Sequence, residues 1–135
     1  MSCVDEPPVR TALQALIEHA AAFSGKDNER YAGTLALPFV HLWQDGEILR
    51  YDEPGDVDLF EHYARAKIDA GNYGRTELDE TKLILDWEDL KAFHVKFTRY
   101  TRESGTLGRS EAIWVAVRSG ECWRLKLRIG AVRLK

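Results

Sequence analysis

After the Pro7-Pro8 pair, apolar residues fall at Val9, Leu13, Leu16, Ile17, Ala20 and Phe23, the spacing that lines one face of a helix. Gly25 ends that helix. Asp27 or Asn28 can cap a second, shorter helix carrying Tyr31 and Leu35, closed by Pro38 because the residue before a proline is pushed out of the α region. From Phe39 to Trp43, and again from Glu47 to Tyr51, the period drops to two. The intervening Gln44-Asp45-Gly46 predicts a β-hairpin, since Asp-Gly tolerates the positive φ of a tight turn. Pro54-Gly55 leads to Asp56, an N-cap for a third helix with Val57, Phe60, Tyr63, Ala64 and Ile68 on its face and Gly71 at its end.

The remainder predicts strands over about 75 to 87, 91 to 103, 109 to 117 and 121 to 129, most simply an antiparallel meander. Register follows from keeping apolar sets on one face. A three-residue loop Arg118-Ser119-Gly120 sets Ile113, Val115 and Val117 beside Trp123, Leu125 and Leu127. A turn at Glu88-Asp89-Leu90 sets Leu83, Leu85 and Trp87 beside Phe93, Val95 and Phe97. One sheet face is then apolar and needs the helices as cover, which makes the class α+β. The other face carries His94, Lys96, Tyr100, Ala112, Trp114, Ala116, Arg124 and Lys126.

Composition narrows the choices. A chain of 135 residues, 44% hydrophobic and 30% charged, reads as one globular domain over 1–135, with residues 1–7 a frayed terminus. With 19 basic and 22 acidic residues the net charge of −3 is too small and too mixed to recruit nucleic acid. No apolar run approaches a membrane span and the amino terminus lacks a signal-peptide core, so a cytoplasmic chain is expected. Cys3 and Cys122 are expected to be free thiols.

The order helix, short helix, hairpin, helix and long meander, together with the junction Gly25-Lys26-Asp27, LPFVHL before a Gly-centred hairpin, FHVKFTRYTRESG and WRLKLRIG, resembles the nuclear transport factor 2-like superfamily. That superfamily is also called SnoaL-like or cystatin-like, and the likeness is to its small bacterial members. The resemblance covers nearly the whole chain and implies a cone of helices and curved sheet enclosing a pocket. It does not imply one chemistry, because the fold hosts isomerases, dehydratases, cyclases, an epoxide hydrolase and transport factors. Steroid-isomerase relatives use a carboxylate on the first cone strand and a tyrosine on the first helix. Those positions fall here on Trp43 and His19, and an indole cannot abstract a proton.

On this reading the cone interior receives Phe39, His41 and Trp43 by strand alternation, with His19, Tyr31, Phe60, Trp87, Phe97 and Trp123 completing a wall for a small, mainly apolar molecule. The favoured register also sets Asp79 opposite Arg99 with Glu111 diagonal to it. That trio is similar to the Asp-Arg-Asp arrangement of the superfamily's epoxide hydrolases, and its plainer reading is a cross-strand ion-pair network. The four histidines show no metal-ligand spacing, and no cofactor is expected. Trp114 between two alanines predicts a homodimer contact on the outer face. Three functions follow: a binding or accessory domain, a cofactor-independent hydrolase, lyase or cyclase using Asp79, Arg99, Glu111 and His41, or an interaction module.

Overall fold

A computed structural model of the chain describes residues 11–25, 28–57 and 72–130. Helix α1 (Ala12–Ser24) begins at a capping box. Thr11 Oγ1 accepts the Gln14 N–H at 3.1 Å, and Gln14 Oε1 accepts the Thr11 N–H at 3.2 Å. Its buried residues are Ala12, Ala15, Leu16, His19, Ala20 and Ala22, and the four alanines let the helix lie close against the sheet. Helix α2 (Asn28–Gly33) buries Tyr31.

Leu35 belongs to strand β1 (Leu35–Leu42) rather than to α2, and the chain passes Pro38 in extended form with a cis Leu37-Pro38 bond. A proline removes a single ladder donor, which a strand tolerates at an irregularity. The pairing of β1 with β6 slips at this point. The hairpin to β2 (Ile48–Tyr51) closes as expected, with Gly46 at φ 89 and its N–H donating to Trp43 O at 3.0 Å. Residues 54–57 are helical, but Asp56 is not the N-cap. Pro54 takes the first helical position, and Asp56 reaches back to accept the Asp52 and Glu53 N–H groups at 3.0 and 3.1 Å. The rest of the expected third helix, Phe60 included, lies outside the described residues.

Strands β3 (Tyr73–Asp86), β4 (Leu90–Thr101), β5 (Thr106–Ser119) and β6 (Cys122–Gly130) form the expected antiparallel meander. The sheet order is β2-β1-β6-β5-β4-β3, with β1 parallel to β6, so the sheet is mixed. Helix α1 packs on β3, β5 and β6. The concave, core side of the sheet lies beneath it.

The expected face of β5 is overturned, while on β6 Trp123 and Leu125 keep the core side and Leu127 leaves it. Ser119 pairs with Cys122, leaving a two-residue turn with Gly120 at φ 66. Ala116 then stands opposite Leu125, and Lys126 is an extra residue before the next pair, Val115 with Leu127. Phe93 faces Trp114 and Val95 faces Ala112 across β4 and β5. Ala112, Trp114 and Ala116 therefore join Phe93, Val95 and Phe97 in the core, and Ile113, Val115 and Val117 turn to the outer side. Trp114 is 2% exposed, so it cannot centre a dimer contact. Its two alanine neighbours make room for the indole against α1, not for a partner.

Trp87 sits in the β3–β4 turn at 59% exposure, outside the interior wall expected for it. Cys122 is disulfide-bonded rather than free, and Cys3 lies outside the described residues. No helix among the described residues is long and apolar enough to cross a membrane.

Candidate functional site

Beneath α1, at the centre of the concave side, His19 is 1% exposed. Its tautomer follows from its partners. Thr34 Oγ1 gives its own proton to Tyr31 O at 2.6 Å, so in the 3.0 Å contact with His19 Nδ1 it must accept. His19 therefore carries its proton on Nδ1 and offers a lone pair at Nε2. Arg128 Nη1 donates to that lone pair at 3.3 Å, and Tyr31 Oη lies 3.5 Å away. Burial, then the Arg128 charge and that of His41, hold the His19 pKa well below the usual imidazole value.

Arg128 reaches this side because of the bulge at Lys126, without which the alternation of β6 would aim it outward. It is 9% exposed, with its guanidinium 4.7 Å from the Trp114 ring centroid. His41 stands opposite it in the parallel β1–β6 ladder. His41 Nε2 donates to Gly130 O at 3.1 Å, and the ring stacks on Trp43 at 3.7 Å. Burial, with the Arg128 charge second, lowers the His41 pKa to about 2 despite the Gly130 hydrogen bond. Both histidines are neutral near pH 7.

Arg99 belongs to the same group. It shares the face of Phe97, with its guanidinium 5.4 Å from that ring, and Phe97 is 6.0 Å from Trp114. Burial first and Arg128 second lower its pKa, opposed by Tyr73 and Tyr31. Arg99 Nε, Arg128 Nε and Trp114 Nε1 are all buried without a hydrogen-bond partner. All three are donors and none can accept.

The structure does not bring Asp79, Arg99 and Glu111 together. Two irregularities between the β3–β4 turn and Arg99, at Leu83/Leu85 and Leu78/Glu80, shift the frame, so Arg99 faces Thr76 and Gly108 instead. Asp79 is the extra residue between the pairs Leu78–Phe97 and Glu80–Lys96, and its carboxylate accepts from Thr98 Oγ1. Glu111 pairs across the strands with Lys96 and its carboxylate meets His94 at 3.1 Å. Both acids line one surface groove with Lys96, Thr98, Tyr100 and Arg109, to which Arg99 does not contribute.

Of the expected wall, His19, Tyr31, Phe39, His41 and Phe97 are buried and Trp43 is half-buried. Tyr31 and Phe39 lie 4.7 and 6.3 Å from the His19 ring. Trp123 lies towards the opposite end of β6 from Arg128, with Lys91 and Arg118 each 5.8 Å from its ring. Sequence reasoning missed Arg128, Thr34 and the inward Trp114. Among the described residues no group of three or more His, Cys, Asp or Glu side chains could hold a metal ion.

No family model and no curated protein matches the chain. Solved structures do. A protein of unknown function with a cystatin-like fold from Nostoc punctiforme is 15% identical, covering 96% of this chain and 91% of its own, at a TM-score of 0.69. An NTF2-like protein with a cystatin-like fold from Novosphingobium aromaticivorans is 12% identical over 93% of this chain and 79% of its own, also at 0.69. A ketosteroid isomerase-like protein from Erwinia carotovora atroseptica is 12% identical over 87% and 90%, at 0.60. At such identities the likeness is one of fold. The chain has the nuclear transport factor 2-like, cystatin-like α+β fold.

Proposed function

We propose that the chain binds a small molecule on the concave side of its sheet, beneath α1, as a binding or accessory domain. One observation carries this reading: the three buried donors without partners, Arg99 Nε, Arg128 Nε and Trp114 Nε1, gathered among Phe39, Phe97 and Tyr31. A buried polar group left unpaired costs about 1–3 kcal/mol, which a molecule carrying acceptors would recover. The aromatic surroundings suit the apolar remainder of such a molecule. The test is the indole N–H resonance of Trp114, assigned with Trp114→Phe and followed while small fragments bearing acceptors are added. Fragments that bind should shift it and raise Tm. A resonance that no fragment moves, with the interior amides equally protected in every mixture, would mean that side chains fill this side completely.

The hydrolase, lyase or cyclase reading has less support, because Asp79 and Glu111 lie in the surface groove and any base would have to be a neutral histidine. Self-association of two copies has a specific observation in its favour. Ile48, Leu42, Ile129 and Ile113 stand side by side across β2, β1, β6 and β5, with Ile48 and Ile129 exposed. Such a row on a sheet face favours contact with its own counterpart. Sedimentation should find a dimer that Ile129→Glu dissociates, whereas a monomer in both forms would exclude it.

A further inference from the structure

The binding reading leaves open what the molecule is, and its lining answers part of that. The concave side holds two guanidinium groups, neither of which forms a salt bridge with a carboxylate among the described residues. The salt bridges of the described residues involve Arg30, Arg50, Arg75, Lys91, His94, Lys96 and Arg118, never Arg99 or Arg128. Arg128 instead gives one N–H to a neutral histidine, and both guanidinium groups lie over aromatic rings. Histidines that stay neutral add no charge and no repulsion, so the two arginines set the sign of the site.

Two like charges brought together out of water are costly unless a counter-charge joins them. Nothing described on this side supplies it. The unused capacity is also one-sided, since all three partnerless atoms donate and an oxyanion is purely an acceptor. Arg99 is only partly buried, which keeps the group in reach of solvent. We infer that the molecule bound on the concave side carries an oxyanion, a carboxylate or a phosphate, received between Arg99 and Arg128 with the Trp114 indole N–H as third donor, while its apolar body lies against Phe97, Phe39 and Tyr31. This rests on the binding reading above and narrows it to one chemical class.

The experiment uses four probes on the full chain: benzoate, phenyl phosphate, benzyl alcohol and inorganic phosphate, each titrated into the millimolar range. Binding is read from the Trp114 indole N–H resonance and from Tm. Benzoate or phenyl phosphate should bind, and benzyl alcohol should bind far more weakly. Which of the two anions is preferred identifies the head group. Arg99→Met and Arg128→Met, shown folded by circular dichroism, should each weaken the anion roughly ten- to hundredfold, the worth of a charge-assisted hydrogen bond. Arg99→Lys should recover part of that loss, because it keeps the charge but not the planar fork. Inorganic phosphate binding with the same dependence on both arginines also supports the oxyanion site. If benzyl alcohol binds as well as benzoate and neither arginine variant changes it, the molecule is neutral: the oxyanion inference falls and the binding reading stands. If none of the four moves the resonance or Tm, both fall.

Discussion

Acid should destabilise this protein through His19 and His41. They are 1% and 3% exposed and neutral in the folded chain, with folded pKa values below the ordinary 6.5, to about 2 for His41. In the unfolded chain both titrate near 6.5. As pH falls below that value the unfolded state takes up protons that the folded state refuses, so the stability these residues permit at neutral pH is lost on the acid side. The slope approaches about 1.4 kcal/mol per pH unit for each histidine. Between pH 7 and pH 5, His41 alone costs about 2 kcal/mol, and His19 adds up to a like amount with the same sign. Against the roughly 5–15 kcal/mol that holds such a domain folded, the sum is large.

The assay is urea unfolding followed by tryptophan fluorescence at pH 7, 6 and 5, with His41→Gln beside the wild type. The midpoint should fall steadily with pH in the wild type, and the variant should lose the His41 share of that slope. Glutamine can still donate to Gly130 O, so the variant separates charge from hydrogen bonding. A change smaller than about 0.5 kcal/mol between pH 7 and 5, within the scatter of the extrapolation, would refute the reasoning. So would a His41 ring proton titrating near 6.5 in the folded chain.

Replacing Arg128 by Met removes a buried charge that lacks a counter-ion, and by analogy with buried ionic groups exchanged for apolar ones the unliganded protein should be unchanged or more stable by about 1–4 kcal/mol; a loss of several kcal/mol in urea unfolding would contradict this. Gly74→Ala would place a Cβ 2.6 Å from Thr101 O and 3.0 Å from Arg102 Cα, so β3 must shift at a cost of about 1–3 kcal/mol, measured as a lower Tm. Thr11→Ala should cost about 1 kcal/mol by opening the capping box of α1, and Thr11→Ser should restore most of it; equal unfolding midpoints for all three proteins would show that the box contributes nothing.

Most elements of this fold could be read from periodicity, because β3 to β6, the Asp45-Gly46 hairpin and α1 announce themselves through spacing alone. Faces could not. Alternation tells which side a residue takes only while no strand carries an extra residue, and here Lys126 in β6 and Asp79 in β3 are such residues. Each reverses the sense of its strand beyond that point. The Ala112-Trp114-Ala116 pattern was visible, but small residues beside an indole admit either a partner protein or a helix of the same chain. The alanine-rich buried stripe of α1 is what settles it.

Of the strand irregularities, these two bear most directly on the site's chemistry. Leu127-Arg128-Ile129 reads as a strand whose arginine faces water, yet the extra residue at Lys126 carries that cation inward beside Arg99. The extra residue at Asp79 leaves its carboxylate on Thr98 in the surface groove. One insertion adds a positive charge to the concave side, and the other removes the negative charge that would have neutralised it. An expected Asp/Arg/Glu ion-pair cluster becomes a pair of arginines with spare donors, which is why the proposed ligand is one that brings the acceptor.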